Sequence, residues 1–262
     1  MKTNHKLSAL QILLAALCGV VLAIHRLRTG ADGSSMLLVG CFSALILFLA
    51  ARKLHAVREA LSLKPLSADK FGFALLTLAG LLFIGAGILF FLLRDTSSKL
   101  AIITCVFSVF CGLVTLARLS LRDSGQTAAI YSLVPVFFLS FYLLLFYRSN
   151  GDNPNLSMFG FEVAVLLLAL LGYYAAIAGR FEKERPRFCG FACTLGGSFI
   201  TQELVYLLLN PGHLKAVPGF SLDAVAMLCA YGVLLCYALI YPPVREVFPL
   251  DEETSEKSES DA

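Results

Sequence analysis

The stretch from Phe71 to Leu93 reads FGFALLTLAGLLFIGAGILFFLL, twenty-three consecutive residues without a charge. A helix rises about 1.5 Å per residue, so this run is long enough for a hydrocarbon layer about 30 Å thick. Fifteen of its residues are Leu, Ile or Phe. Each favours insertion by about 0.3–0.6 kcal/mol, which amounts to several kcal/mol in total. The stretch reads as a transmembrane helix and sets the fold class of the chain.

Seven further segments repeat the pattern. Together with the first they give spans at approximately Leu7 to Ile24, Met36 to Ala51, Phe71 to Leu93, Leu100 to Ala117, Ala129 to Tyr147, Met158 to Gly179, Phe188 to Leu209 and Ser221 to Tyr241. The second is the shortest, but Leu54, Val57 and Leu61 continue its apolar stripe past Arg52 and Lys53 toward the break at Pro65. The expected architecture is an all-α membrane bundle of eight helices over residues 1–250, followed by a disordered acidic tail at 251–262. Composition agrees. The 262 residues are 58% hydrophobic and 15% charged, against about 45–50% and about 25% in a soluble domain. A net charge of +3 from 21 basic and 18 acidic residues leaves no nucleic-acid footprint. The lipid bilayer is the expected partner, with another membrane protein or a second copy of the chain as the alternatives.

Orientation follows from the loops. The amino terminus, the loops after spans two, four and six, and the tail hold fifteen Lys and Arg, whereas the other four loops hold six. Basic loops stay in the cytoplasm, so both termini are expected there. Span one lacks a small-x-small cleavage site and is followed by His25, Arg26 and Arg28, which favours a retained helix over a cleaved signal. Arg26, Ser35 and Met36 align with Arg148, Ser157 and Met158 at an offset of 122, a hint of a four-plus-four duplication.

Charges inside the apolar segments are the candidates for function, because each is expensive in lipid. Three occur, and all are acidic: Glu162, Glu203 and Asp223. With the termini inside, Glu162 lies about 6 Å below the outer boundary and Glu203 roughly 7 Å to the outer side of the midplane. Asp223 is shallow enough to cap its helix with Ser221. At 100° per residue, Gly190, Thr194, Gly197, Ser198 and Thr201 form a small-residue stripe suited to close helix packing. Glu203 points away from most of that stripe. Gln202, Tyr206 and Arg148 map to the same outer region as the three acids. Together they outline a candidate outward-facing polar site, with Arg148 as the available partner for a carboxylate. Pro135 marks a point where the fifth span departs from regular helical bonding.

Catalytic signatures are absent: there is no Gly-x-x-x-x-Gly-Lys loop, no His-Glu-x-x-His helix, no Cys-x-x-Cys and no nucleophile elbow. The eight cysteines fall within apolar runs and read as small buried hydrophobes. Cys189 and Cys193 share a helix face, but His5, His25, His55 and His213 all fall outside the apolar runs, so no metal site and no cofactor are expected.

Tyr147, Arg148, Asn153, Pro154, Glu162, Tyr173, Tyr174, Ala178, Gly179, Phe181, Arg185, Pro186 and Arg187 form a pattern over about 40 residues. This pattern resembles a group of uncharacterised multi-helix integral membrane proteins of clostridial (Firmicutes) genomes. The resemblance implies a bacterial plasma membrane. It singles out Glu162 and the loop at 185–187, and carries no activity. Two function classes follow. In one, the polar site binds or moves a small solute or ion, anchored by Glu203 and Glu162; in the other, the chain is a non-catalytic scaffold or accessory subunit whose small-residue faces hold other membrane proteins.

Overall fold

The computed structural model describes residues 2–29, 40–41, 43–49, 70–93, 99–120, 125–150, 160–181, 186–213 and 221–241. Among the described residues there are seven long helices: α1 (Lys2–Thr29), α2 (Lys70–Leu93), α3 (Lys99–Ser120), α4 (Gly125–Asn150), α5 (Gly160–Phe181), α6 (Pro186–Leu209) and α7 (Leu222–Ile240). Each contains a segment long and apolar enough to cross a membrane. Residues 40–41 and 43–49 are also helical. The expected second span, Met36 to Ala51, is described only over that short stretch. The acidic tail lies outside the described residues.

Two helices run past the expected spans. α1 continues through the basic cluster after Ile24 to Thr29, and α4 extends from Gly125 to Asn150. Between its first and last turns a helix satisfies every backbone N–H and C=O internally, so continuing the helix costs less than opening a loop near lipid.

The outer surface is apolar, as lipid requires: Leu13, Val21, Phe73, Phe91, Val106, Phe137 and Leu144 are all exposed. Inside, α2, α4, α5 and α7 meet at an aromatic centre. Phe83 lies edge-on to Phe138 at 6.0 Å and to Tyr231 at 5.1 Å, and Tyr173 is 6.0 Å from Tyr231. The Tyr231 hydroxyl donates to the Pro135 carbonyl at 2.5 Å, so the one proline inside α4 is tied to α7. Small residues let backbones approach. A Cβ on Gly112 of α3 would lie 2.6 Å from the Gly80 carbonyl oxygen of α2, and one on Gly19 of α1 would lie 2.5 Å from the Ser198 carbonyl oxygen of α6.

Several contacts fix helix directions. Ser8 donates to the Leu239 carbonyl at 2.9 Å, and Gly72 faces the Tyr241 ring, so α1 and α2 both start beside the end of α7. Gln11 donates to Thr194 Oγ1 at 2.8 Å and Gly19 packs on Ser198 and Thr201, so α1 runs parallel to α6. Gly172 faces the Ala192 carbonyl and Gly196 the Leu168 carbonyl, so α5 runs antiparallel to α6. The small-residue stripe of α6 is therefore the seam with α1, as its composition suggested. At one end of the bundle, α1 and α6 finish while α5 and α7 begin.

Candidate functional site

That end holds a buried ionic cluster. Glu162 enters from the first turn of α5 and Glu203 from the last two turns of α6, and both are 0% exposed. Between them lies the guanidinium of Arg26, from the last turn of α1, itself 3% exposed. Arg26 Nη1 donates to Glu203 Oε2 at 2.6 Å, and Nη2 to Glu162 Oε1 at 2.9 Å. The Arg26 Cζ lies 3.8 Å from the centroid of the Tyr206 ring and 4.2 Å from that of Phe161. Both rings offer their negative faces to the cation, which adds to the holding force of the carboxylates.

His213 completes the group. After α6 ends, Asn210, Pro211 and Gly212 turn the chain; Asn210 N donates to the Tyr206 carbonyl at 2.8 Å and His213 N to the Asn210 carbonyl at 3.1 Å. The turn carries the imidazole back over the helix end, where Nε2 lies 2.8 Å from Glu162 Oε1 and 3.5 Å from Arg26 Nη2. The His213 ring packs edge-on to Tyr206 at 5.1 Å. At 15% side-chain exposure it is the most accessible of the four residues joined by these ion pairs.

The formal charges do not cancel. Glu162 and Glu203 contribute −2 and Arg26 contributes +1, leaving −1 unless His213 is protonated or another cation is present. One oxygen on each carboxylate, Glu162 Oε2 and Glu203 Oε1, has no hydrogen-bond partner among the described residues. Gln202 is 0% exposed and both of its amide atoms also lack partners there. A buried carboxylate oxygen or amide left in this way costs about 1–3 kcal/mol or more. The Glu162, Glu203 and His213 donor atoms all lie within 4.8 Å of one another.

The expected site residues are thus partly assembled. Glu162, Glu203 and Tyr206 come together, and Gln202 is buried one turn below Tyr206 on α6. Asp223 is buried in the first turn of α7, where the Ser221 hydroxyl donates to its carboxylate. Ser221 occupies the N-cap position but makes no side-chain cap bond; its hydroxyl pairs with Asp223, and the expected capping of a backbone N–H by Ser221 is not made. Arg148 is the correction. It is exposed near the end of α4 and pairs with neither glutamate; Arg26 takes that role. Under the proposed duplication Arg26 and Arg148 are equivalent, yet one is buried in the cluster and the other exposed.

Two members escaped sequence reasoning. Arg26 and Arg28 directly follow an apolar run, which is how a flanking loop reads. The available signal lay in spacing: Ser8, Gln11, Ala15, Gly19, Leu22 and Arg26 recur every three or four residues, and all are buried. His213 carries no periodic signal, because a turn rather than a helix delivers it.

No protein-family model matches the chain, and comparison with curated proteins and with solved structures likewise gives no match.

Proposed function

We propose that this is an eight-span protein of a bacterial plasma membrane, with both termini cytoplasmic, that binds or moves a small cation at the outer end of the bundle. Eight crossings are supported by direction. α1 and α2 run the same way, which a return crossing by the chain between them would account for. The helical residues at 40–41 and 43–49 run antiparallel to α6: a Cβ on Gly40 would lie 3.3 Å from Phe199, and the Phe48 ring lies 5.3 Å from that of Phe191. They therefore run against α1, as a return crossing requires. The asymmetry of Lys and Arg between the two sets of loops supports cytoplasmic termini, and the resemblance at 147–187 supports the bacterial assignment.

The observation that carries the functional reading is that two fully buried carboxylates share one arginine. A purely structural ion pair needs one acid per base. A second acid at membrane depth adds a cost of several kcal/mol unless a cation or proton accompanies it. With His213 neutral the cluster carries a surplus negative charge, and one oxygen on each glutamate lacks a partner among the described residues; that is the chemistry of a cation site, with partly exposed His213 at its edge.

Proteoliposomes carrying the full chain test this reading against alkali, divalent and organic ammonium ions. Cation-dependent thermal stabilisation or uptake is expected for the native protein, and its loss for Glu203→Gln. Behaviour identical in the two proteins across the whole panel would remove the proposal.

A further inference from the structure

The cluster is specific enough to name a class of cation. Resting on the cation-site reading above, we infer that Glu162, Glu203 and His213 form an exchangeable site for a divalent first-row transition ion, with Arg26 as the resident cation that the metal displaces. The donor set is one imidazole nitrogen and two carboxylates drawn from α5, α6 and the turn after α6, with donor atoms within 4.8 Å of one another. Imidazole with carboxylate suits zinc, manganese, iron(II) or cobalt(II), whereas calcium and magnesium prefer all-oxygen shells and copper(I) prefers thiolate. No cysteine belongs to the group.

One further observation points to a ligand. Glu162 Oε2 and Glu203 Oε1 are buried without a hydrogen-bond partner among the described residues. Three protein ligands also leave an open coordination position, as in sites that exchange water or substrate rather than in closed structural sites.

Charge decides the role of Arg26. With the guanidinium present the two carboxylates sum to −1. A divalent ion in its place brings the sum to zero, and ion and guanidinium together would leave +1 in a buried site. Metal and Arg26 therefore compete for the same two carboxylates. The exchange is a displacement without bond cleavage: Arg26 gives up its hydrogen bonds to Glu203 Oε2 and Glu162 Oε1, and the metal takes up carboxylate oxygen and the unprotonated His213 nitrogen. Because Arg26 sits in the last turn of α1, occupancy by metal frees the end of α1 from α5 and α6.

Cobalt(II) titration of the full chain in detergent, followed by calorimetry and by visible absorption, tests the assignment. The native protein is expected to bind one equivalent with absorption bands characteristic of nitrogen and oxygen ligation. His213→Ala is the principal variant, since His213 lies beyond the helix end and is partly exposed, and it should weaken binding at least tenfold while the protein remains folded. Arg26→Gln should tighten binding at least tenfold, the reverse of what loss of a merely structural arginine produces. Absence of saturable cobalt binding overturns the metal site. So does binding unchanged in His213→Ala, or binding lost in a folded Arg26→Gln protein. Glu203-dependent uptake of a monovalent or organic cation without metal binding overturns the metal assignment and leaves the cation site standing. Loss of every Glu203-dependent response overturns both.

Discussion

Arg26 links three helices through one planar group, so its removal should be felt well beyond its own contacts. In metal-free protein, Arg26→Gln leaves Glu162 and Glu203 facing each other without a resident cation. Breaking one side of a buried ion pair typically costs about 3–5 kcal/mol. Thermal unfolding in detergent should register that loss, and combining the change with Glu203→Gln should restore most of it, because one uncompensated charge leaves with the other. A double-mutant cycle measures the coupling, and simple addition of the two losses would show that Arg26 and Glu203 act independently. The glutamates were legible in the sequence because a carboxylate within an apolar run has few harmless explanations. Arg26 was not, since a basic residue after an apolar run is what the cytoplasmic or outer flank of any span looks like. Its burial becomes visible only when α1 is continued to Thr29 and the face carrying Ser8, Gln11, Ala15 and Gly19 is followed to its end. His213 needed the turn at Pro211 and Gly212, whose path the sequence does not specify.

At the scale of elements, the seam between α1 and α6 positions the cluster. Gly19 leaves room for the Ser198 carbonyl oxygen, and a Cβ there would also come within 2.7 Å of Thr201 Cβ. Gly19→Val therefore forces the helices apart, a change expected to destabilise by about 1–3 kcal/mol. Because Arg26 rides on the same helix seven residues on, the variant should also loosen its grip on Glu203. Lower thermal stability together with altered cobalt affinity would show both effects. A stable Gly19→Val protein with unaltered binding would show that the seam tolerates separation. A second test lies in the core: Tyr231→Phe deletes the bond to the Pro135 carbonyl and should cost about 0.5–1.5 kcal/mol, measured by the same unfolding assay. The small-residue stripe of α6 was readable from its spacing. Its partner was not, because lipid is as apolar as the interior and hydropathy carries no record of which face meets which helix.

For the whole molecule, the decisive quantity is the number of crossings between α1 and α2. Thr29 ends α1 and Lys70 begins α2, and both side chains are exposed. Since α1 and α2 both start beside the end of α7, Thr29 and Lys70 belong to opposite ends of the bundle. If the helices span the bilayer, these residues lie on opposite sides of it. The excess of Lys and Arg among the loops on the Lys70 side supports the proposal that this side is cytoplasmic. Single substitutions Thr29→Cys and Lys70→Cys, treated with a membrane-impermeant maleimide in intact cells and compared with the parent chain, read this out directly. Thr29→Cys should label from outside, and Lys70→Cys only after permeabilisation. Labelling of both from the same side would remove the return crossing, and with it the eight-span topology. The reversed pattern would keep eight crossings but turn the cluster toward the cytoplasm, so that Glu162, Glu203 and His213 would draw their cation from inside the cell.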